Sequence, residues 1–181
     1  IDLRPLVSSL GNSLTFTGTT ASSHGVWYST TAQASFVKID TTGDALADMV
    51  IKIKSAETLT ARDILTDATA PTVVNTSYAS NDGLLGAGET VKLKVKFSEV
   101  VYVDGEATPT LTLNSGGTAT YFSGSGGKTL TFTYQVLDGQ NANDLSITSF
   151  NLNGATLRDA SYNDADLSSA ASNPPGKLVV D

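Results

Sequence analysis

The residues of this chain with the most specific chemistry are aspartates crowded on short turns. Asp40, Asp44 and Asp48 follow one another at intervals of four residues, with Gly43 between the first two, directly before an apolar run at 49–54. Ca2+ prefers hard oxygen ligands of this kind, and without a cation the same carboxylates repel one another. The pattern therefore predicts a calcium site on a turn between two strands.

The other ligands of this site would come from the same loop. The hydroxyl of Thr42 and a backbone carbonyl near Leu46 would complete the coordination shell. The loop is not an EF-hand, which needs glycine at its sixth position and a bidentate acid at its twelfth, where this chain has Ala45 and Ile51. A second interpretation stays open, in which the aspartates cap a hairpin turn through their own backbone.

A second acidic segment lies near the C-terminus. Its carboxylates and amide, together with an acid from another loop or from the segment between the modules, are candidates for a second cation site. The predicted ligands are Asp159, Asn163, Asp164, Glu99 and Asp67. The alternative is a solvated loop without an ion.

The residues that usually carry catalysis are scarce. His24 is the only histidine and cysteine is absent, so the usual ligand set of a catalytic zinc site cannot form. No G-x-S-x-G elbow accompanies the many serines. We therefore expect that the chain is not an enzyme. Trp27 and Tyr28, on a short predicted strand, could stack on a sugar ring, but aromatic residues in small β domains more often belong to the core.

Charge and cysteine content limit the partners and the compartment. The net charge of −7 over 181 residues disfavours nucleic acid and anionic membrane surfaces as partners, and no segment predicts insertion into a membrane. A secreted domain without disulfides is more typical of large bacterial exported proteins, which often use calcium to stabilise the fold. The opening Ile1-Asp2-Leu3-Arg4 suggests a piece of a longer protein.

Short apolar and alternating runs between turn residues predict an all-β chain of two modules. The boundary lies before Pro71, because proline forces an extended chain and removes a backbone donor. We predict a small β domain at 1–67 and an immunoglobulin-like β-sandwich at 68–181. The predicted strands are 13–17, 26–30, 34–39, 49–54, 91–97, 110–113, 118–122, 129–136, 145–149 and 177–180. The three lysines of 91–97 alternate with apolar residues, which we interpret as protection of a strand edge.

Residues 14–65 resemble the C-terminal domain that follows the calcium-binding β-roll in serralysin-type proteases and other RTX exoproteins. The matching segments are Phe16-Thr17-Gly18, Val26-Trp27-Tyr28, the loop from Asp40 to Asp48, and 59–65. The family often has an acidic or amide residue at the position of Thr42, and a phenylalanine at that of Ile64. The glycine-rich nonapeptide repeats and the H-E-x-x-H zinc motif are absent, so the protease activity of that family is not implied.

Residues 70–181 resemble bacterial Ig-like repeats of large surface adhesins. The matching segments are 82–90, which begins at Asp82, and 95–101, 109–114, 119–126, 130–134 and 152–159. This resemblance implies extension, display or adhesion, and no catalysis.

The two resemblances together imply a non-catalytic, calcium-stabilised structural or adhesion module pair. It would belong to a large bacterial protein that is secreted or held at the cell surface. The expected partners are neighbouring domains of the same polypeptide and a cell-surface glycan or protein. The alternatives are a carbohydrate- or protein-binding module, and an accessory domain of an exported hydrolase.

Overall fold

The computed structural model describes residues 1–78 and 83–181, so Asp82 of the adhesin-like pattern lies outside the described residues. The chain divides into two compact units. The first contains Ile1–Thr69 together with Ala160–Tyr162, and the second contains Ala70–Asp159 and Asn163–Asp181. Strands predominate in both units, which confirms the predicted all-β fold. Among the described residues, no helix is long and apolar enough to cross a membrane.

The first unit contains a four-stranded sheet. Its strands, in spatial order, are β1 (Thr15–Phe16), β2 (Gly25–Thr30), β3 (Ser35–Ile39) and β4 (Met49–Ile53). β1 pairs with β2 in parallel, and the other neighbours are antiparallel. One face of this sheet covers a core whose buried members are Leu3, Leu14, Val26, Tyr28, Val37, Ile39 and Ile64.

Trp27 and Tyr28 are both buried on β2, with only 6% and 8% of their surface exposed. Phe16 stacks on Tyr28, with ring centroids 6.3 Å apart. Because the rings of Trp27 and Tyr28 are not open to solvent, these two residues do not form a sugar-stacking platform. The structure supports the interpretation that both are packed in the protein interior.

The first unit also has a helix that the sequence analysis did not predict, α1 (Arg4–Leu10). Proline in its first turn and Gly11, which ends it in the left-handed conformation with φ 67°, are ordinary helix boundary signals. Leu6, Val7 and Leu10 form one apolar face that packs on the core. Seven residues give too few repeats for a helical period to stand out in the sequence.

The second unit is a curled antiparallel sheet with a short parallel pair beside it. The strands are β5 (Val73–Tyr78), β6 (Gly83–Leu85), β7 (Thr90–Asp104), β8 (Thr110–Leu113), β9 (Thr118–Ser123), β10 (Gly127–Gln135), β11 (Ile147–Asn151), β12 (Thr156–Arg158) and β13 (Leu178–Val180). The main sheet has the order β11-β8-β9-β10-β7-β12, with β5 also on β7, and β13 pairs with β6. β5, β6 and β12 were not predicted, since each lacks a long alternating pattern.

β7 is the longest strand and is not an edge strand. From Leu93 to Lys96 it pairs with both β5 and β10. Its alternation is strict from Thr90 to Phe97, with apolar residues buried and the intervening residues exposed. The interpretation of its lysines as edge protection is therefore wrong, because backbone partners already occupy both sides of the strand.

The core of the second unit lies on the inner face of the curled sheet. β7, β8, β10, β11 and β13 contribute most of its fully buried side chains. Phe132 is fully buried at the centre and makes edge-to-face contacts with Tyr121 and Phe150, at centroid distances of 5.9 and 5.3 Å. Such pairs add to the free energy of burial itself.

We predict that Phe132→Ala lowers the free energy of unfolding of the second unit by about 3–5 kcal/mol, because the change leaves a cavity among packed rings. Hydrogen–deuterium exchange of β7 and β10 amides measures this loss within one unit. The matched control is Thr118→Ala on the exposed face of β9, which should change the free energy by about 0.5 kcal/mol or less. Equal protection in both variants would contradict the assignment of this core.

Candidate functional site

The predicted calcium loop lies between β3 and β4, and its organising residue is Asp40. Oδ1 of this carboxylate accepts the backbone N–H groups of Thr42 and Gly43, at 3.0 and 2.7 Å. Oδ2 accepts those of Ala45 and His24, at 2.8 and 3.1 Å. A carboxylate has about four lone-pair positions. Four N–H donors therefore use the acceptor capacity of Asp40.

Asp40 is completely buried, yet it is held as an anion. Burial opposes ionisation, but the hydrogen bonds from the N–H groups of Gly43, Ala45, His24 and Thr42 outweigh it and lower the pKa of Asp40 from 3.8 to about 2. The negative charge is thus balanced by oriented backbone dipoles and not by a side-chain cation.

The other carboxylates of the loop also face its own backbone. Oδ2 of Asp48 accepts the N–H groups of Thr41 and Thr42 and the hydroxyl of Thr41, at 2.7–3.0 Å. These bonds lower the pKa of Asp48, the largest effect being the bond from the Thr41 backbone. Oδ1 of Asp44 accepts the N–H of Leu46 at 2.9 Å.

The predicted calcium ligands of this loop do not converge. The Thr42 hydroxyl lies 3.3 Å from Asp40 Oδ1 and donates to it. In the part of the chain that the structure describes, Asp40, Asp44 and Asp48 do not bring three carboxylate oxygens within reach of one ion. The geometry supports the alternative interpretation, in which the aspartates cap the turn, and gives no support to calcium binding here.

His24 belongs to the same neighbourhood and has a structural position. Its φ is 49°, and its backbone N–H reaches Asp40. A side chain at Gly43 would collide with the His24 ring, because a Cβ there would lie 2.4 Å from Cε1. Ser23 Oγ lies 3.3 Å from His24 Nδ1 but donates to the carbonyl of Gly43 at 2.8 Å. The serine proton is therefore directed away from the imidazole, which does not suit a base–nucleophile pair.

The second acidic segment follows β12, and its residues have different roles. Asp159 is buried, with 4% of its surface exposed, and accepts the backbone and side-chain N–H groups of Asn163 at 2.9 and 2.8 Å. Asp164 is exposed and paired with Arg158 at 2.6 Å. Asp164 thus forms an exposed ion pair, whereas Asp159 is the buried carboxylate of this segment.

Glu99, at the far half of β7, comes close to Asp159. Carboxylate oxygens of the two residues lie within 4.8 Å of one another. Glu99 is half-buried and Asp159 is buried, so the repulsion between them is screened less than between exposed groups. Each oxygen of Asp159 accepts one hydrogen bond and keeps a lone-pair position, in contrast to Asp40.

Asp67, the remaining predicted ligand, lies near the end of the first unit. It is half-buried, and its Oδ1 accepts the N–H of Thr69 at 2.8 Å. This bond is an Asx-turn, which shapes the chain just before Ala70.

Comparisons with known proteins identify no relative of this chain. A scan against protein-family models, a search of curated proteins and a search of solved structures each found no match.

We predict that Asp40→Asn lowers the midpoint of thermal unfolding by about 5 °C or more at pH 7, with or without calcium, because the amide leaves N–H donors without an acceptor. Asp44→Asn is the control, since exposed Asp44 accepts a single local bond. If chelation changed the effect of Asp40→Asn, the turn-capping role would be contradicted.

Acid should weaken the same loop. The folded-state pKa of Asp40 is about 2, below the unfolded value of 3.8. Its stabilising effect is therefore complete above pH 4 and is lost as the pH falls towards 2. Thermal midpoints measured between pH 5 and pH 2 should decline less steeply in Asp40→Asn than in the unmodified protein. Parallel declines would show that Asp40 does not titrate in this way.

Proposed function

We propose that the chain is a non-catalytic structural and adhesive module pair of a large secreted or surface-exposed bacterial protein, stabilised by calcium. The sandwich-like second unit suits display, because its loops and outer sheet face are supported by one continuous core. The absence of cysteine removes disulfides as stabilisers and gives a bound cation that role.

The observation that carries the calcium proposal is the pair of Glu99 and Asp159 in the second unit. Their carboxylate oxygens lie within 4.8 Å of one another, and Asp159 is buried, so the two residues offer hard oxygen ligands at one place. Ca2+ needs six to eight oxygens, which carboxylates, backbone carbonyls and water together can supply. The side-chain amide of Asn163 holds Asp159 in place by donating to Oδ2.

Calcium at this pair differs from the site predicted at 40–48. The carboxylate of Asp40 is filled by four backbone donors, whereas each Asp159 oxygen accepts one donor. Lone pairs left for a metal, and not the number of nearby aspartates, decide which acidic segment is the better candidate.

We predict that calcium raises the thermal midpoint of the second unit. A ligand that binds only the folded state adds RT ln(1 + [L]/Kd), about 2.7 kcal/mol at a hundredfold excess over Kd. Calorimetry in chelator and then in millimolar CaCl2 measures the shift. In Glu99→Gln/Asp159→Asn the shift should disappear, because both carboxylate ligands are removed.

Asp164→Asn is the matched control for this experiment. It changes the charge of the same segment, but its carboxylate is engaged with Arg158, so the calcium shift should persist. Equal midpoints in chelator and calcium for the unmodified protein would remove calcium from the proposal. If calcium still raised the thermal midpoint of Glu99→Gln/Asp159→Asn, the ion would bind at another site.

We also predict no hydrolytic activity in the purified chain. The proton of Ser23 is directed to a backbone carbonyl, and no carboxylate forms a hydrogen bond with the His24 ring among the described residues. Generic protease, esterase and glycosidase substrates are sufficient for the assay. Turnover that survives repurification and is abolished by His24→Ala would contradict the non-catalytic assignment.

A further inference from the structure

The outer face of the main sheet in the second unit has a composition unlike the rest of this acidic chain. Along β7 it presents Lys92, Lys94 and Lys96, all exposed. The neighbouring strands add hydroxyl and amide side chains in register with these lysines. The outward set, which we call the lysine–threonine face, is Asn75, Ser77, Lys92, Lys94, Lys96, Thr118, Thr120, Phe122, Thr129, Thr131 and Thr133. The residues of this face include no carboxylate.

The sheet register builds this face as a grid. Lys94 lies between Thr131 on β10 and Ser77 on β5. Lys96 lies in the same way between Thr129 and Asn75. Successive lysines on one strand face are about 6.5–7 Å apart. The three lysines are therefore regularly spaced along β7, and Lys94 and Lys96 are flanked on both sides by short polar side chains.

Nothing within the described residues neutralises this row. No carboxylate lies within ion-pair distance of Lys92, Lys94 or Lys96 in the part of the chain that the structure describes. Three like charges at every second residue repel one another, and from Leu93 to Lys96 both edges of β7 are already paired. The charges of these lysines are exposed on the outer face and available to an anionic ligand.

An exposed aromatic ring stands at the side of the row. Phe122 is 61% exposed, and the β9–β10 pairing is irregular at this point, moving from Thr131 opposite Ser123 to Phe132 opposite Tyr121. Such bulges re-aim side chains next to binding sites. The ammonium of Lys92 lies 4.4 Å from the centroid of the Phe122 ring. An apolar ring face beside cations is suited to the apolar face of a sugar ring that carries acidic groups.

One hydroxyl at the Lys92 end of the grid lacks a hydrogen-bond partner among the described residues. Thr133 lies between Thr120 on β9 and Lys92 on β7. Its Oγ1 is shielded from solvent and has no hydrogen-bond partner among the described residues. A ligand rich in hydroxyl groups that reaches this atom would supply the missing hydrogen-bond partner.

We propose that the lysine–threonine face binds an acidic polysaccharide. The proposal deepens the adhesive part of the proposed function and does not depend on calcium. Charge complementarity selects an anion, while Phe122 and the hydroxyl grid select a carbohydrate, whose ring faces and hydroxyl groups these side chains can contact. The alternation of 91–97 and 118–122 indicates which of their residues share a face of each strand. Only the pairing of β10 with both β7 and β9 shows that the two runs contribute to one surface.

The test is binding of the full chain to polygalacturonate and dextran sulfate, with neutral dextran and poly-glutamate as comparisons, in low salt and in chelator. We expect binding to both acidic polysaccharides that weakens with added salt, no binding to dextran, and weaker binding to poly-glutamate. The polygalacturonate and sulfate arms distinguish carboxylate from sulfate recognition. Because chelator is present throughout, this outcome is independent of the calcium experiment.

Four variants locate the site. Lys94→Thr/Lys96→Thr should weaken binding about tenfold, and Lys177→Thr, an exposed lysine elsewhere in the same unit, should leave it unchanged. Phe122→Leu keeps an apolar side chain but removes the ring and should weaken binding roughly fivefold. Its control, Leu137→Ala, alters a similarly exposed apolar residue. Unchanged thermal midpoints verify folding.

Three results would overturn the proposal. The first is no measurable binding of either acidic polysaccharide at low salt. The second is binding that Lys94→Thr/Lys96→Thr and Phe122→Leu leave unchanged. The third is binding of poly-glutamate as tight as that of polygalacturonate, which would indicate an acidic peptide partner.

Discussion

The second unit depends on the strict alternation of β7. Val91, Leu93, Val95 and Phe97 all point to one side and are buried there, and β5 and β10 pair with the strand along both edges. A slip of one residue would move the lysines into the core and the apolar side chains into water. This penalty fixes the register of the neighbouring strands, and with it the positions of the hydroxyl groups beside each lysine.

The same constraint produces a surface with a charge opposite to that of the chain. Core packing decides which residues of β7 face inwards, but it leaves the choice of outward residues open. Lysine at three successive outward positions, together with an exposed phenylalanine on β9, is a choice that packing does not require. The proposed binding of an acidic polysaccharide rests on these outward side chains.

The two acidic segments show how similar residues acquire different chemistry. Asp40 is buried beside a turn and accepts four backbone N–H groups, so the carboxylate stabilises the loop by itself. Asp159 is also buried, but it has fewer donors and lies close to Glu99. A small unit with a limited core gains from the first arrangement, while the second places two carboxylates close together and is the basis of the calcium proposal.

The sequence by itself determined the all-β fold, most of the strands and the burial of the β7 face, because a period of two and the position of turn residues are local properties. It did not reveal α1, whose seven residues are too short for a recognisable period. The spacing of its aspartates predicts calcium binding at Asp40, with turn capping as the alternative, and it does not indicate which donors the carboxylate accepts. Only the tertiary structure decided that backbone N–H groups fill that carboxylate and that Glu99 meets Asp159. Hydrogen-bond donors and distant carboxylates are brought together by the path of the chain, and residue spacing does not record that path.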